Sequence, residues 1–127
     1  MSRALRLILI VTIPLALLIL VATLMPTPRP PAGFPTNDKV QHFLAFAMLA
    51  FPTTLVRPRW ALRIVVAAIA YGYLIEVVQP YFGRDYDLKD LLADALGAVS
   101  GAGLGILLHR PAMWLWGLLR RTEPQRA

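Results

Sequence analysis

Residues 7–25 read LILIVTIPLALLILVATLM, nineteen successive positions without a charge. As a helix, at 1.5 Å rise per residue, they extend about 28 Å, close to the roughly 30 Å hydrocarbon core of a bilayer. Arg3 and Arg6 precede the run. A secretory leader starts in the same way. However, its apolar stretch is usually about 7–15 residues and ends at a small-x-small cleavage site, which is missing here. The stretch is therefore read as a retained spanning helix. Pro14 is tolerable inside it, because neighbouring helices can satisfy the freed backbone groups.

The rest of the chain agrees. Of its 127 residues 57% are hydrophobic, against about 45–50% in soluble domains, and the mean hydropathy is +0.60. The net charge of +6 would suggest nucleic acid on a soluble chain. Here the basic residues flank apolar runs, so they read as orienting charges and headgroup contacts, and no nucleic-acid partner is expected. With no cysteine, disulfides, thiolate metal sites and thiol catalysis are excluded.

Three further spans follow a Pro-rich stretch at 26–35: about 40–56, 61–78 and 91–108. Residues 113–119, with Trp114 and Trp116, are too short to cross and are expected to lie at the interface. Lys and Arg number nine in the N-terminus, second loop and tail, against four in the first and third loops. The positive-inside rule then puts both termini in the cytoplasm. The expectation is one all-α domain over 1–127, a polytopic bundle of four transmembrane helices.

Polar residues gather on the opposite, outer side. Asp38, Lys39 and His42 begin the second span, and Glu76 and Gln79 end the third. Arg84, Asp87 and Asp90 lie in the third loop, and Asp94 begins the fourth span. Counting along each helix puts His42 and Asp94 about 6 Å, and Glu76 roughly 10 Å, inside the outer boundary. A charge near the bilayer centre costs about 2.5–3.5 kcal/mol on insertion scales, so these groups should turn inward and find partners. Asp38 and His42 share a helix face, as do Glu76 and Gln79. Asp87, Asp90 and Asp94 line one stripe if their helix starts near Asp87. Each residue alone also has a plain reading. Asp87 and Asp90 can cap a helix, Lys39 and Arg84 can neutralise acids, and His42 can donate to a carboxylate. Capping does not explain why three helices contribute at one level.

Gly97, Gly101 and Gly105 recur at four-residue spacing. Such a stripe lets another backbone approach closely, whether from this chain or, in a homo-oligomer, from a second copy.

Three blocks resemble the VanZ-like family of small bacterial membrane proteins. Asp38-Lys39-Val40-Gln41-His42-Phe43 is similar to the family's D-K-x-x-H-F helix start. Glu76-Val77-Val78-Gln79 is similar to its E-x-x-Q helix end. Arg84 to Gly97 is similar to its R-x-x-D-x-x-D-x-x-x-N/D-x-x-G block, with Asp94 where many members have Asn. The resemblance implies a helical bundle in the bacterial cytoplasmic membrane and a role near the cell envelope. The family takes its name from a protein associated with glycopeptide antibiotic resistance, notably to teicoplanin.

Several functions fit these residues. Mixed charges suit a zwitterionic or phosphorylated ligand, such as a lipid headgroup, an envelope precursor or a glycopeptide. An intramembrane enzyme could use His42, Glu76, Asp90 and Asp94 as metal ligands or as a general base. No H-x-x-x-H or H-E-x-x-H spacing assigns a metal, and no cofactor is expected. A proton-coupled transporter finds no relay in the apolar inner half, and a structural subunit of a membrane complex stays open.

Overall fold

The computed structural model describes residues 3–25 and 38–121. The loop expectations at 26–37 and the tail beyond 121 lie outside them. Among the described residues there are four α-helices and no strand. They are α1 (Arg3–Leu24), α2 (Asp38–Val56), α3 (Ala61–Val78) and α4 (Leu88–Arg121). A 3-10 turn at Pro58–Trp60 joins α2 to α3, and another at Gln79–Phe82 follows α3.

Three helical stretches are long and apolar enough to cross a membrane: Asp38–Val56, Pro58–Phe82 and Leu88–Leu119. A shorter apolar stretch, Ile8–Leu24, lies in α1. The outer surface is far more apolar than that of a soluble protein. Large apolar residues such as Ile10, Leu18, Leu62, Leu74 and Leu107 face outward. The interior holds a few large apolar residues (Ile19, Phe46, Leu49, Ile75) together with small ones (Ala50, Ala68, Ala98, Ala102) and polar ones (Thr53, Thr54, Glu76, Gln79, Asp94). In lipid an outward Leu costs nothing, whereas an inward small residue permits close helix contact and an inward polar group finds a partner.

α2 and α4 form the central pair, and the glycine stripe explains why. A Cβ on Gly97 would strike the Phe43 carbonyl, and one on Gly101 the Ala47 carbonyl. A Cβ on Gly105 would meet Thr54 Oγ1 and the Leu55 backbone. The stripe is thus covered by α2 of the same chain. This corrects the idea that it joins two copies in a homo-oligomer, since no room is left on it for a second backbone. His109 Nδ1 donates to the Leu55 carbonyl, 2.7 Å away, near the far end of the pair.

α1 packs Ile19, with Leu15, Ala16 and Leu20, against the core and adds hydrogen bonds. Thr12 Oγ1 pairs with Thr53 Oγ1 at 3.2 Å, and the Tyr71 hydroxyl donates to the Ala16 carbonyl at 2.5 Å. Gln79 Nε2 donates to the Thr23 carbonyl at 3.2 Å. Residues 113–119 do not form a separate segment. α4 runs through Pro111 without interruption for 34 residues, about 51 Å at helical rise. Pro111 removes one backbone donor, and surface positions such as exposed Trp114 and Trp116 continue the helix beyond it.

Candidate functional site

Three helix ends build the site: the start of α2, the end of α3 and the start of α4. Chain direction after α3 is set by the second 3-10 turn. Gly83 closes it in the left-handed region, φ 77°, which glycine adopts without steric cost. The Arg84 N–H then donates to the Gln79 carbonyl at 3.2 Å, and the Arg84 side chain reaches Asp38 on α2.

Asp87 starts α4. Its Oδ1 accepts the Lys89 N–H at 2.8 Å, the bond of a helix N-cap. Its Oδ2 accepts from Lys39 Nζ, also at 2.8 Å, and its own N–H donates to Glu76 Oε2 at 2.9 Å. The ammonium of Lys39, then the Lys89 N–H, hold the Asp87 carboxyl below its ordinary range. One residue thereby ties α2, α3 and α4 together.

Around it lies a network. Lys39 Nζ also donates to Asp90 Oδ1 at 2.7 Å, and Arg84 Nη2 donates to Asp38 Oδ2 at 3.2 Å. His42 is buried between them. Its Nδ1 donates to Asp94 Oδ1 at 2.9 Å, while Nε2 lies 3.9 Å from Asp90 Oδ2 and 4.0 Å from Asp38 Oδ1. Glu76 and Asp94 have no exposed surface. Each keeps one oxygen, Glu76 Oε1 and Asp94 Oδ2, without a hydrogen-bond partner among the described residues.

The structure therefore brings together Asp38, Lys39, His42, Glu76, Arg84, Asp87, Asp90 and Asp94. Gln79 is set apart from them: although buried, it spends its amide on the backbone of α1. Gly97, Gly101 and Gly105 serve α2–α4 packing and do not touch the polar groups. Sequence reasoning missed Gly72. A Cβ there would stand 2.6 Å from Asp94 Oδ2, so the missing side chain makes room for the carboxylate. The available signal was its position, four residues before Glu76 and so on the same helix face.

A cleft of about 210 Å³ adjoins the network between α1 and α2. Its walls are apolar, from Leu15, Leu18, Ile19, Ala45, Phe46 and Met48. Its polar end is formed by Thr23, Asp38, Gln41, His42 and Arg84. Chemically, the network offers ion pairs near its mouth and a buried His–carboxylate pair behind them. Asp38, His42 and Arg84 belong to both parts.

A family model described as VanZ/LLP1 matches residues 5–109, which take in nearly all of α1, the whole of α2 and α3, the first two thirds of α4 and every residue of the network. No curated protein and no solved structure shows a significant match to the chain.

Proposed function

The chain belongs to the VanZ/LLP1 family, and on that premise we propose that it binds the phosphorylated headgroup of an envelope lipid in the outer leaflet of the bacterial cytoplasmic membrane. In this reading all four helices cross the membrane and both termini are cytoplasmic. α1 has 22 residues, about 33 Å of helix, enough for a span when its ends are included. The nine-to-four distribution of Lys and Arg supports the orientation.

The observation that carries the reading is the cleft's two-part chemistry. An acyl or isoprenoid chain fits the apolar walls of α1 and α2. The headgroup then reaches Arg84, which uses Nη2 on Asp38 and makes no other side-chain hydrogen bond among the described residues. Arg matches phosphate oxygens through a planar set of donors. Pockets for drug-sized ligands hold about 300–1,000 Å³. At about 210 Å³ the cleft favours a lipid chain over the body of a glycopeptide.

Native mass spectrometry of the protein in detergent, with a polyprenyl phosphate and with phosphatidylglycerol added separately, tests this reading. One lipid should remain bound. The Arg84→Ala, Glu76→Gln double variant should weaken retention at least tenfold, and Ala22→Trp, which fills the cleft wall, should do the same. Retention unchanged in both rejects the pocket. The buried His42–Asp94 pair with Glu76 nearby favours a second reading, an intramembrane enzyme in which His42 acts as an oriented base. Turnover of the bound lipid, absent in His42→Gln, would distinguish catalysis from binding.

A further inference from the structure

We propose that His42, Glu76 and Asp94 form a binding site for a first-row divalent metal ion, of the zinc or manganese type. This does not depend on the lipid reading, although His42 also lines the cleft; Glu76 and Asp94 are fully buried behind it.

Geometry comes first. One ligand atom from each of the three lies within 4.8 Å of the others, and all three residues are buried. Each comes from a different helix: His42 from α2, Glu76 from α3 and Asp94 from α4. Small side-chain rotations bring such a set to metal–ligand bonds of about 2.1 Å.

The second observation is independent of that proximity. Glu76 Oε1 and Asp94 Oδ2 are acceptors with no donor, in residues of zero exposure. Buried acceptors are normally satisfied, and a metal ion satisfies both at once. Gly72 gives Asp94 Oδ2 its space, since any Cβ there would displace it.

Charge points the same way. Lys39 pairs with Asp87 and Asp90, and Arg84 pairs with Asp38. No lysine or arginine pairs with Glu76 or Asp94 among the described residues. Only His42 stands beside them as a basic group among the described residues, within a buried helical interior where an excess of carboxylates is costly. A divalent ion compensates both.

A second grouping, Asp38, His42 and Asp90, also has metal-like proximity. Its acids, however, already serve Arg84 and Lys39. They suit the outer role instead. When His42 ligates through Nδ1, its hydrogen moves to Nε2, which faces Asp90 and Asp38 at 3.9 and 4.0 Å. Carboxylates at that position orient a metal-bound imidazole. One imidazole with two carboxylates suits zinc, iron or manganese better than magnesium or calcium, which prefer all-oxygen sites.

The test uses tag-free, full-length protein in detergent, stripped with a chelator and then titrated with Zn2+ and Mn2+ without added lipid. One equivalent should bind. The Mn2+ form should show nitrogen modulation from one imidazole in pulsed electron paramagnetic resonance. The chain has two histidines, His42 and His109. The signal retained in His109→Gln therefore assigns His42 without altering the site, even if site variants do not fold. In folded Glu76→Gln and Asp94→Asn, affinity should fall at least tenfold. The proposal is overturned by binding below a tenth of an equivalent. It is also overturned by loss of the nitrogen signal in His109→Gln, or by affinity unchanged in both site variants. Metal binding with no lipid retention would leave this site standing and remove only the headgroup reading.

Discussion

His42 carries more of the site than any other side chain, because it alone stands between Asp94 on one ring nitrogen and Asp38 and Asp90 on the other. Removing one partner of a buried pair strands the other, a cost of roughly 3–5 kcal/mol. His42→Ala should therefore destabilise the protein by about that amount in detergent denaturation. His42→Ala with Asp94→Leu should recover part of the loss, because the double variant buries no orphaned carboxylate. A double variant worse than the sum of the single ones would argue against the pairing. Gly72→Ala probes the same carboxylate from the opposite side. Its methyl group would lie 2.6 Å from Asp94 Oδ2, whose partner oxygen is held by His42. Overpacking of this kind costs about 1–3 kcal/mol, so a lower denaturation midpoint is expected, with no loss for Gly103→Ala, where a Cβ meets nothing and helix propensity rises.

At the scale of elements, the α2–α4 pair holds the two halves of the network at fixed distance. Gly101→Leu would drive a side chain into the Ala47 backbone, which cannot rotate aside. It should cost at least about 1–3 kcal/mol and separate Lys39 from Asp90, measurable as lost stability and lost disulfide cross-linking between cysteines placed on the two helices. A wild-type denaturation midpoint in Gly101→Leu would refute tight pairing. Much of this was legible in sequence. Long apolar runs give helices, and costly ionisable residues at similar depth foretell mutual contact. Other parts were not legible. The glycine stripe fits any neighbour, so only the fold reveals that α2 fills it. Residues 113–119 read as a separate interfacial stretch, yet a helix needs only one donor fewer to pass Pro111, and α4 continues to Arg121. Gln79 has the depth and polarity of a site residue, but its partner is the Thr23 backbone carbonyl, which no side-chain pattern records.

For the whole molecule, the distinction between the two ends decides the function. One end carries the three-helix polar network and the mouth of the cleft, and the other has the exposed basic turn containing Arg57 and Arg59. A binding role in the outer leaflet requires the polar end to face away from the cytoplasm, as the distribution of Lys and Arg suggests. The direct measurement is labelling of single cysteines in intact cells by a membrane-impermeant maleimide. The native chain contains no cysteine, so each introduced one reports alone. Tyr86→Cys, exposed beside the network, should label without permeabilisation, whereas Arg59→Cys should label only after it. The opposite pattern, or Tyr86→Cys and Arg59→Cys reacting from the same side, would contradict a site open to the outer leaflet.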